Sequence, residues 1–282
     1  MEVESEKKFR LKYSIVIPAY NESARLPSTL ASVVNCIQTR GWDAEIIVVN
    51  DGSADGTADV VRKFADNTPG VRSIEEALIE SRPAPAEPDG RRPVELRLLE
   101  NPGNRGKGYS VRAGMLAARG EVALFTDADL SAPIEEAERL FKAIREGADV
   151  AIGSRWLQSD RQTQRQPVYR QFFGRCFNAV TRAVMKLPFA DTQCGLKAFT
   201  REAAQTVFQL QTINHWGFDP EILFIAIKHG YWVIEVPVAW GHDERSRMSY
   251  LKDGVKMLQE LASIRWNAFR GRYDKPVKAA KR

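Results

Sequence analysis

Between residues 13 and 155 short β-branched runs alternate with longer amphipathic ones, and few folds accept that order. "YSIVIPAY" (13–20), "AEIIVVN" (44–50), "ELRLLEN" (95–101), "EVALFTDA" (121–128) and "DVAIGSR" (149–155) read as strands. The segments between them, "LPSTLASVVNCIQTR" (26–40), "SADGTADVVRKFAD" (53–66), "GYSVRAGMLAAR" (108–119) and "PIEEAERLFKAIREG" (133–147), read as helices. In the first helix Leu26, Leu30, Val33, Val34 and Ile37 fall on one side. Strands alternating with helices predict an α/β protein with a mostly parallel, Rossmann-like sheet and helices on both faces. Ligands of such sheets bind beyond the carboxyl ends of the strands. The residues there are polar: Asn21 and Glu22, Asn50 and Asp51, Asn101 to Lys107, Asp127 and Asp129, Ser154 and Arg155. One stretch, 73–93, interrupts the order with four prolines and clustered charge, and reads as an insertion loop.

Composition excludes several classes. At 44% apolar and 27% charged, the 282 residues have an ordinary globular balance. The start, "MEVESEKKFRLK", lacks the apolar core of a secretory leader, and no window reaches the roughly 18 apolar residues of a spanning helix. Three well-separated cysteines argue for a reducing compartment and against a disulfide framework or zinc cluster. His215, His229 and His242 are scattered and read as ordinary histidines. Positive charge gathers in two places. Residues 155–186 hold seven Lys/Arg against one Asp/Glu, and residues 245–282 hold eleven against three. Both patches suggest an anionic partner.

Three motifs bear on chemistry. "NPGNRGKGYS" (101–110) resembles a phosphate loop but satisfies neither G-x-x-x-x-G-K-[ST] nor G-x-G-x-x-G, so a kinase-like NTPase and a dinucleotide enzyme are unsupported. "NDGSADGT" (50–57) has strong turn chemistry, with Ser53 or Asp55 as a helix cap, yet its place after a strand puts Asp51 at the ligand edge. "FTDADL" (125–130) places two carboxylates at i and i+2, on the same side of an extended segment. A turn or cap is one explanation of the pair. Hard-oxygen ligation of Mg²⁺ or Mn²⁺ is the other, favoured by the polar strand ends around it.

"IVIPAYNE" (15–22), "VVNDGSADGT" (48–57) and "DADLS" (127–131), in that order and spacing, resemble the nucleotide-sugar signatures of glycosyltransferase family 2, which has the GT-A fold. "NRGKGYSVRAGM" (104–115), "IGSR" (152–155), "DTQCGLKAF" (191–199) and "GFDPEIL" (217–223) are similar to its polyprenyl-phosphate branch, and within it to the dolichyl-phosphate β-glucosyltransferases. The resemblance covers roughly residues 13 to 250. It implies that Pro18, Ala19, Tyr20, Glu22, Asp51 and Lys107 surround the nucleotide sugar. It implies that Asp127 and Asp129 hold a catalytic Mg²⁺ or Mn²⁺ on the diphosphate. Arg155 and Arg170 match positions implied in binding the acceptor phosphate, and Arg247 has the right chemistry to join them. Ser131 stands where many relatives carry Gln, and Gly174 where the mannosyl branch carries Ser.

These readings combine into an expected inverting transfer of a hexose from a nucleotide diphosphate sugar to a polyprenyl or dolichyl phosphate. UDP-glucose is the expected donor, with GDP-mannose as the alternative. A phosphate acceptor is already deprotonated and needs no general base. A soluble hydroxyl acceptor is the competing reading, with Asp219 or Glu221 as base. Nucleic acid is not an expected partner: aromatics punctuate the basic tail, but no nucleic-acid motif accompanies them. The expected organisation is an N-terminal tail (1–12) and a GT-A catalytic domain (13–243) containing an acceptor-side, interfacial segment (156–186). An amphipathic membrane-surface helix (244–272) and a basic tail (273–282) follow. In that helix Leu251, Val255, Leu258, Ala262, Trp266 and Phe269 form the expected apolar stripe. The protein is thus expected in the cytoplasm, peripheral at the cytoplasmic face of a membrane.

Overall fold

The computed structural model describes residues 12–74, 93–157, 168–241 and 250–274, with the backbone alone for 168–173, 175–177, 250–253 and 255. The N-terminal tail, most of the 73–93 insertion and all but two residues of the basic tail fall outside the described residues.

Eight strands form one sheet: β1 (Tyr13–Ala19), β2 (Ala44–Asn50), β3 (Val71–Ser73), β4 (Val94–Glu100), β5 (Val122–Phe125), β6 (Val150–Ser154), β7 (Lys197–Thr200) and β8 (Val233–Pro237). Their spatial order is β3-β4-β2-β1-β5-β7-β6-β8. All neighbours run parallel except β7, which is antiparallel to both β5 and β6. The alternation in the first half produces the parallel part as expected. The antiparallel insertion of β7 is an addition to that expectation.

Among the described residues eight helices cover the sheet: α1 (Leu26–Arg40), α2 (Thr57–Asn67), α3 (Lys107–Ala117), α4 (Ala137–Arg145), α5 (Val168–Met185), α6 (Arg201–Leu210), α7 (Phe218–Lys228) and α8 (Tyr250–Phe269). The period of two along the strands divides the core. Ile15 and Ile17 of β1, with Ile46 and Val48 of β2, face a cluster filled by α1, α2 and α4. Val16, Ile47 and Val49 face a second cluster built from α3, α6, α7 and α8. Apolar side chains therefore fill both faces of the central strands, as parallel strands under two helical layers require.

The order of the sheet reverses between β1 and β5. From β1 the chain first builds outward through β2 and β4, then returns to β5 on the other side. Loops on the two sides of such a switch point diverge and leave a crevice at the carboxyl edge.

At the opposite edge a buried ionic cluster ties the strands together. Glu45, fully buried, accepts from the Ser14 hydroxyl at 2.6 Å, from Arg97 Nη1 at 3.1 Å, and from the Arg119 backbone N–H and Nε at 2.7 and 2.9 Å. Arg119 also pairs with Glu95.

Helix α8 buries a different face from the apolar stripe read in the sequence. Its core-facing side chains are Met257, Leu261 and Ile264. Leu258, Ala262, Trp266 and Phe269, from the stripe predicted above, are exposed instead, Phe269 by 82%. Trp266 and Phe269 stack on each other at 5.8 Å, and the Arg270 guanidinium lies 4.7 Å from the Trp266 ring. Among the described residues no helix is long and apolar enough to cross a membrane.

Candidate active site

The crevice at the switch point is a cavity of about 410 Å³. Pro18, Ala19, Tyr20 and Glu22 line it from the end of β1, Asp51 from the end of β2, and Lys107 from the start of α3. Asp127 and Asp129 line it from beyond β5. The polar ends of β1 and β2, the 101–107 loop and the residues beyond β5 thus converge in one place, whereas Ser154 and Arg155 at the end of β6 are not part of the lining.

The loops that follow β1 and β2 are sewn together by the "NDGSADGT" motif. Asn21, with φ 53°, turns the chain out of β1. Its N–H donates to Ser53 Oγ at 2.9 Å, and its Oδ1 accepts from the Ala54 N–H at 2.9 Å. The Glu22 N–H donates to Thr57 Oγ1 at 3.0 Å, and the Ser23 N–H to Asp55 Oδ2 at 3.0 Å. Asp55 also accepts from the Thr57 N–H and hydroxyl. Burial is the largest single influence and opposes the Asp55 charge, but the hydrogen bonds from Thr57 and Ser23 together outweigh it and hold its pKa at about 2. Turn chemistry and ligand-edge placement are therefore both true of this motif.

Asp51 is buried and organises the glycine-rich loop. Its carboxylate accepts from Asn101 Nδ2 at 2.8 Å and from the backbone N–H groups of Arg105 and Gly106 at 2.9 and 2.8 Å. Gly52, at φ 69°, lets the two loops touch: a Cβ there would lie 2.5 Å from the Gly103 carbonyl carbon.

Asp127 and Asp129 do not sit on an extended strand, as their i, i+2 spacing suggested. β5 stops at Phe125, and 127–130 form a turn closed by the Leu130 N–H on the Asp127 carbonyl at 3.1 Å. The turn still delivers both carboxylates to the cavity. Asp127 Oδ1 is 2.5 Å from Lys107 Nζ. Asp129 Oδ1 accepts from the Ser131 N–H at 2.9 Å. Burial, and then the charge of Asp127, raise the Asp129 pKa. Burial alone would lower the Lys107 pKa, but Asp127, assisted by Asp219, outweighs it and the amine is raised. Gly195 makes room for the Asp127 carboxylate, because any Cβ at that position would collide with it.

Two carboxylates in one crevice suit Mg²⁺ or Mn²⁺, which take one or two protein carboxylates and fill the remaining positions with water and phosphate. Among the described residues no group of three or more His, Cys, Asp or Glu converges as a closed metal cage.

The acceptor-side residues are less gathered. Arg155 is outside the cavity lining and forms a two-pronged pair with the buried Asp191, Nε to Oδ2 at 2.6 Å and Nη2 to Oδ1 at 2.8 Å. Burial opposes both charges, but the pairing raises the arginine and lowers the aspartate. Arg170 lies in the first turn of α5, with its side chain outside the described residues, and Arg247 lies outside them altogether. Asp219 is buried and paired with the buried Lys197. Glu221 is fully buried and accepts from the Thr212 hydroxyl at 2.6 Å, the Ile213 N–H at 2.8 Å and the Tyr273 hydroxyl at 2.7 Å.

Several lining residues escaped the sequence reading: Arg25, Ser110, His215 and Trp216. Arg25 pairs with Glu22 at 3.2 Å. His215 and Trp216 precede "GFDPE", and that adjacency was the available signal. They lie after α6 rather than at a strand end, so the alternating pattern gave no reason to select them.

The family model of glycosyl transferase family 2 matches residues 14–77 and 84–208. The chain belongs to glycosyltransferase family 2. This glycosyltransferase is 36% identical over 262 residues to a Trichomonas vaginalis protein named dolichyl-phosphate beta-glucosyltransferase, covering 89% of this chain and 70% of that one. A Saccharomyces cerevisiae protein of the same name is 30% identical over 273 residues, 92% of this chain and 76% of its own. Among solved structures, the Pyrobaculum calidifontis mannosyltransferase in complex with GDP-Man and Mn²⁺ superimposes with a TM-score of 0.59 at 22% identity, over 93% of this chain and 65% of that one. Glucosyl-3-phosphoglycerate synthase from Mycobacterium tuberculosis, with Mn²⁺, UDP and its product, gives 0.56 at 20%, over 94% and 81%. At those identities the structures establish the GT-A fold of the glycosyltransferase.

Proposed function

We propose that this glycosyltransferase moves glucose from UDP-glucose to a polyprenyl or dolichyl phosphate, with inversion at the sugar. The observation that carries the reading is the set of relatives named dolichyl-phosphate beta-glucosyltransferase, matched over about nine tenths of this chain. The cavity supplies matching chemistry. Pro18, Ala19 and Tyr20 wall the base, and Glu22 and Asp51 shape the ribose end. Asp127 and Asp129 would hold a divalent ion, which when bound would act as a Lewis acid that stabilises the leaving nucleotide. Lys107, kept charged beside Asp127, adds positive charge at the same point.

The acceptor phosphate is an anion that must approach a diphosphate, so it needs cations rather than a base. Arg155, oriented by Asp191, takes this role with Arg170 and Arg247. A phosphate oxygen attacks C1 in line, the C1–O bond to the diphosphate breaks, and an α-linked donor yields a β-linked product. The buried engagements of Asp219 and Glu221 support a base-free transfer over one to a hydroxyl acceptor. The exposed stripe of α8, with Trp266 and Phe269 beside Arg270, suits a helix lying in the interface of the cytoplasmic leaflet.

Incubation with UDP-glucose, GDP-mannose or UDP-N-acetylglucosamine, each with polyprenyl phosphate or a sugar alcohol, tests the reading. Charged, alkali-stable glycolipid from UDP-glucose alone is expected. Transfer only to the hydroxyl acceptor would overturn it.

A further inference from the structure

Helix α8 reaches the cavity wall through one carboxylate. Glu260 accepts a hydrogen bond from the Gly217 N–H at 2.8 Å. Gly217 is the residue before α7 and has no side chain to cap that helix. An acidic group from another helix supplies the missing acceptor where the helix dipole favours one. The approach is tight: a Cβ on Gly217 would lie 2.7 Å from Glu260 Oε2 and 2.8 Å from Glu260 Cβ.

Both neighbours of Gly217 belong to the site. Trp216 lines the cavity, and the Lys107 Nζ sits 5.3 Å from its ring and 5.9 Å from the ring of Phe218. The same wall is braced from the α3 side. The Tyr109 N–H donates to the Asn214 carbonyl at 3.0 Å, and Gln211 Nε2 donates to the Gly108 and Ile213 carbonyls at 2.9 and 2.8 Å. Residues 211–217 are thus clamped between the glycine-rich loop and α8, which contacts them through Glu260 at Gly217 and through Asn267 Nδ2, a donor to the Thr212 hydroxyl at 3.1 Å.

We propose that Glu260 is a positioning residue for the donor pocket: by holding Gly217 it fixes the Trp216 wall, and through that wall the place of the Lys107 amine beside Asp127. The inference rests on the reading of this cavity as the nucleotide-sugar site. Glu260 touches no substrate in this scheme. Its loss loosens the wall, so it weakens donor binding more than it slows transfer from bound donor.

The test uses the full chain and calorimetry with UDP and Mn²⁺, alongside donor KM and kcat. For Glu260→Ala we expect UDP affinity to fall and donor KM to rise by about fivefold, with kcat within about twofold. Glu260→Gln keeps an acceptor oxygen and restores both to within about twofold of wild type. In a Trp216→Ala background, adding Glu260→Ala produces no further rise, because the two act through one wall. Gly217→Ala pushes on the same contact from the other side and reproduces the KM rise should Glu260→Ala fail to fold. Wild-type UDP affinity and donor KM in Glu260→Ala overturn the proposal. So does failure of Glu260→Gln to rescue, or full additivity with Trp216→Ala. A wild-type chain that binds neither UDP nor GDP has a different signature: the donor reading falls first, and this proposal with it.

Discussion

Asp127 and Asp129 share a turn but have different neighbours. Asp127 is balanced by Lys107, whereas Asp129 has a single backbone N–H and a raised pKa. Asp129→Asn removes an anionic oxygen from the ion site with little change in shape. Turnover should drop by about a hundredfold or more, since metal stabilisation of the leaving group is worth several kcal/mol. Excess chelator on the wild type should match it, and calorimetry with Mn²⁺ and UDP should show weakened ion-dependent binding in the variant. Asp51 is a sharper case. Three donors from the 101–106 loop converge on it, so Asp51→Ala leaves buried N–H groups without an acceptor at about 1–3 kcal/mol. Nucleotide affinity should fall by roughly tenfold or more at that cost. An unchanged affinity in a folded variant would reduce Asp51 to a turn residue. Asp55 acts further out. Its folded pKa is about 2 against an ordinary 3.8, so its contribution is present above pH 4 and is lost as pH falls through 2. Urea unfolding of wild type and Asp55→Asn should therefore show a gap at pH 5 to 7 that closes towards pH 2.

At the scale of elements, the two ends of the sheet do different work. The amino edge holds Glu45 under four hydrogen bonds, far from the cavity lining. Glu45→Ala strands Arg97 and Arg119, and breaking one partner of such a buried pair costs about 3–5 kcal/mol. Denaturant midpoints should fall accordingly, while UDP affinity of the folded fraction stays as in wild type. Helix α8 carries the opposite expectation. Its buried side chains hold it to the protein, and Trp266 and Phe269 are free of that duty. Replacing both with Ser should leave the melting temperature within a few degrees and reduce flotation with anionic liposomes by more than about tenfold, each ring being worth about 2 kcal/mol when buried in the interface. Liposome binding unchanged in that variant would remove α8 from the membrane reading.

For the whole molecule, the five predicted strands were legible because each is a mainly apolar run that alternates with helices of clear period. Their ends pointed to the site for the same reason, since an α/β sheet leaves only one edge where polar strand ends can meet. The later elements were not legible in that way. β7 has four residues, one of them the buried Lys197, and no alternation of its own. β3 has three residues and lies at the sheet's edge. The extended-strand rationale for Asp127 and Asp129 failed in geometry because a turn begins two residues after β5, though the pair reached the cavity. The Arg155–Asp191 pair joins two recognised motifs 36 residues apart, and no local pattern announces such a partnership.

The antiparallel β7 also sets an order of events during synthesis. β5 and β6 are neighbours in sequence but not in space, because β7 lies between them. A nascent chain emerging amino end first, at about 5–20 residues per second, has made the Asp127 turn and Ser154 well before it has made residues 197–200. Throughout that interval β5 and β6 each present an open edge that the finished protein closes. Such edges pair readily with other chains. A ribosome stalled between residues 155 and 197 therefore holds a chain that has made the Asp127 turn and β6 but still lacks β7, the strand that joins β5 to β6.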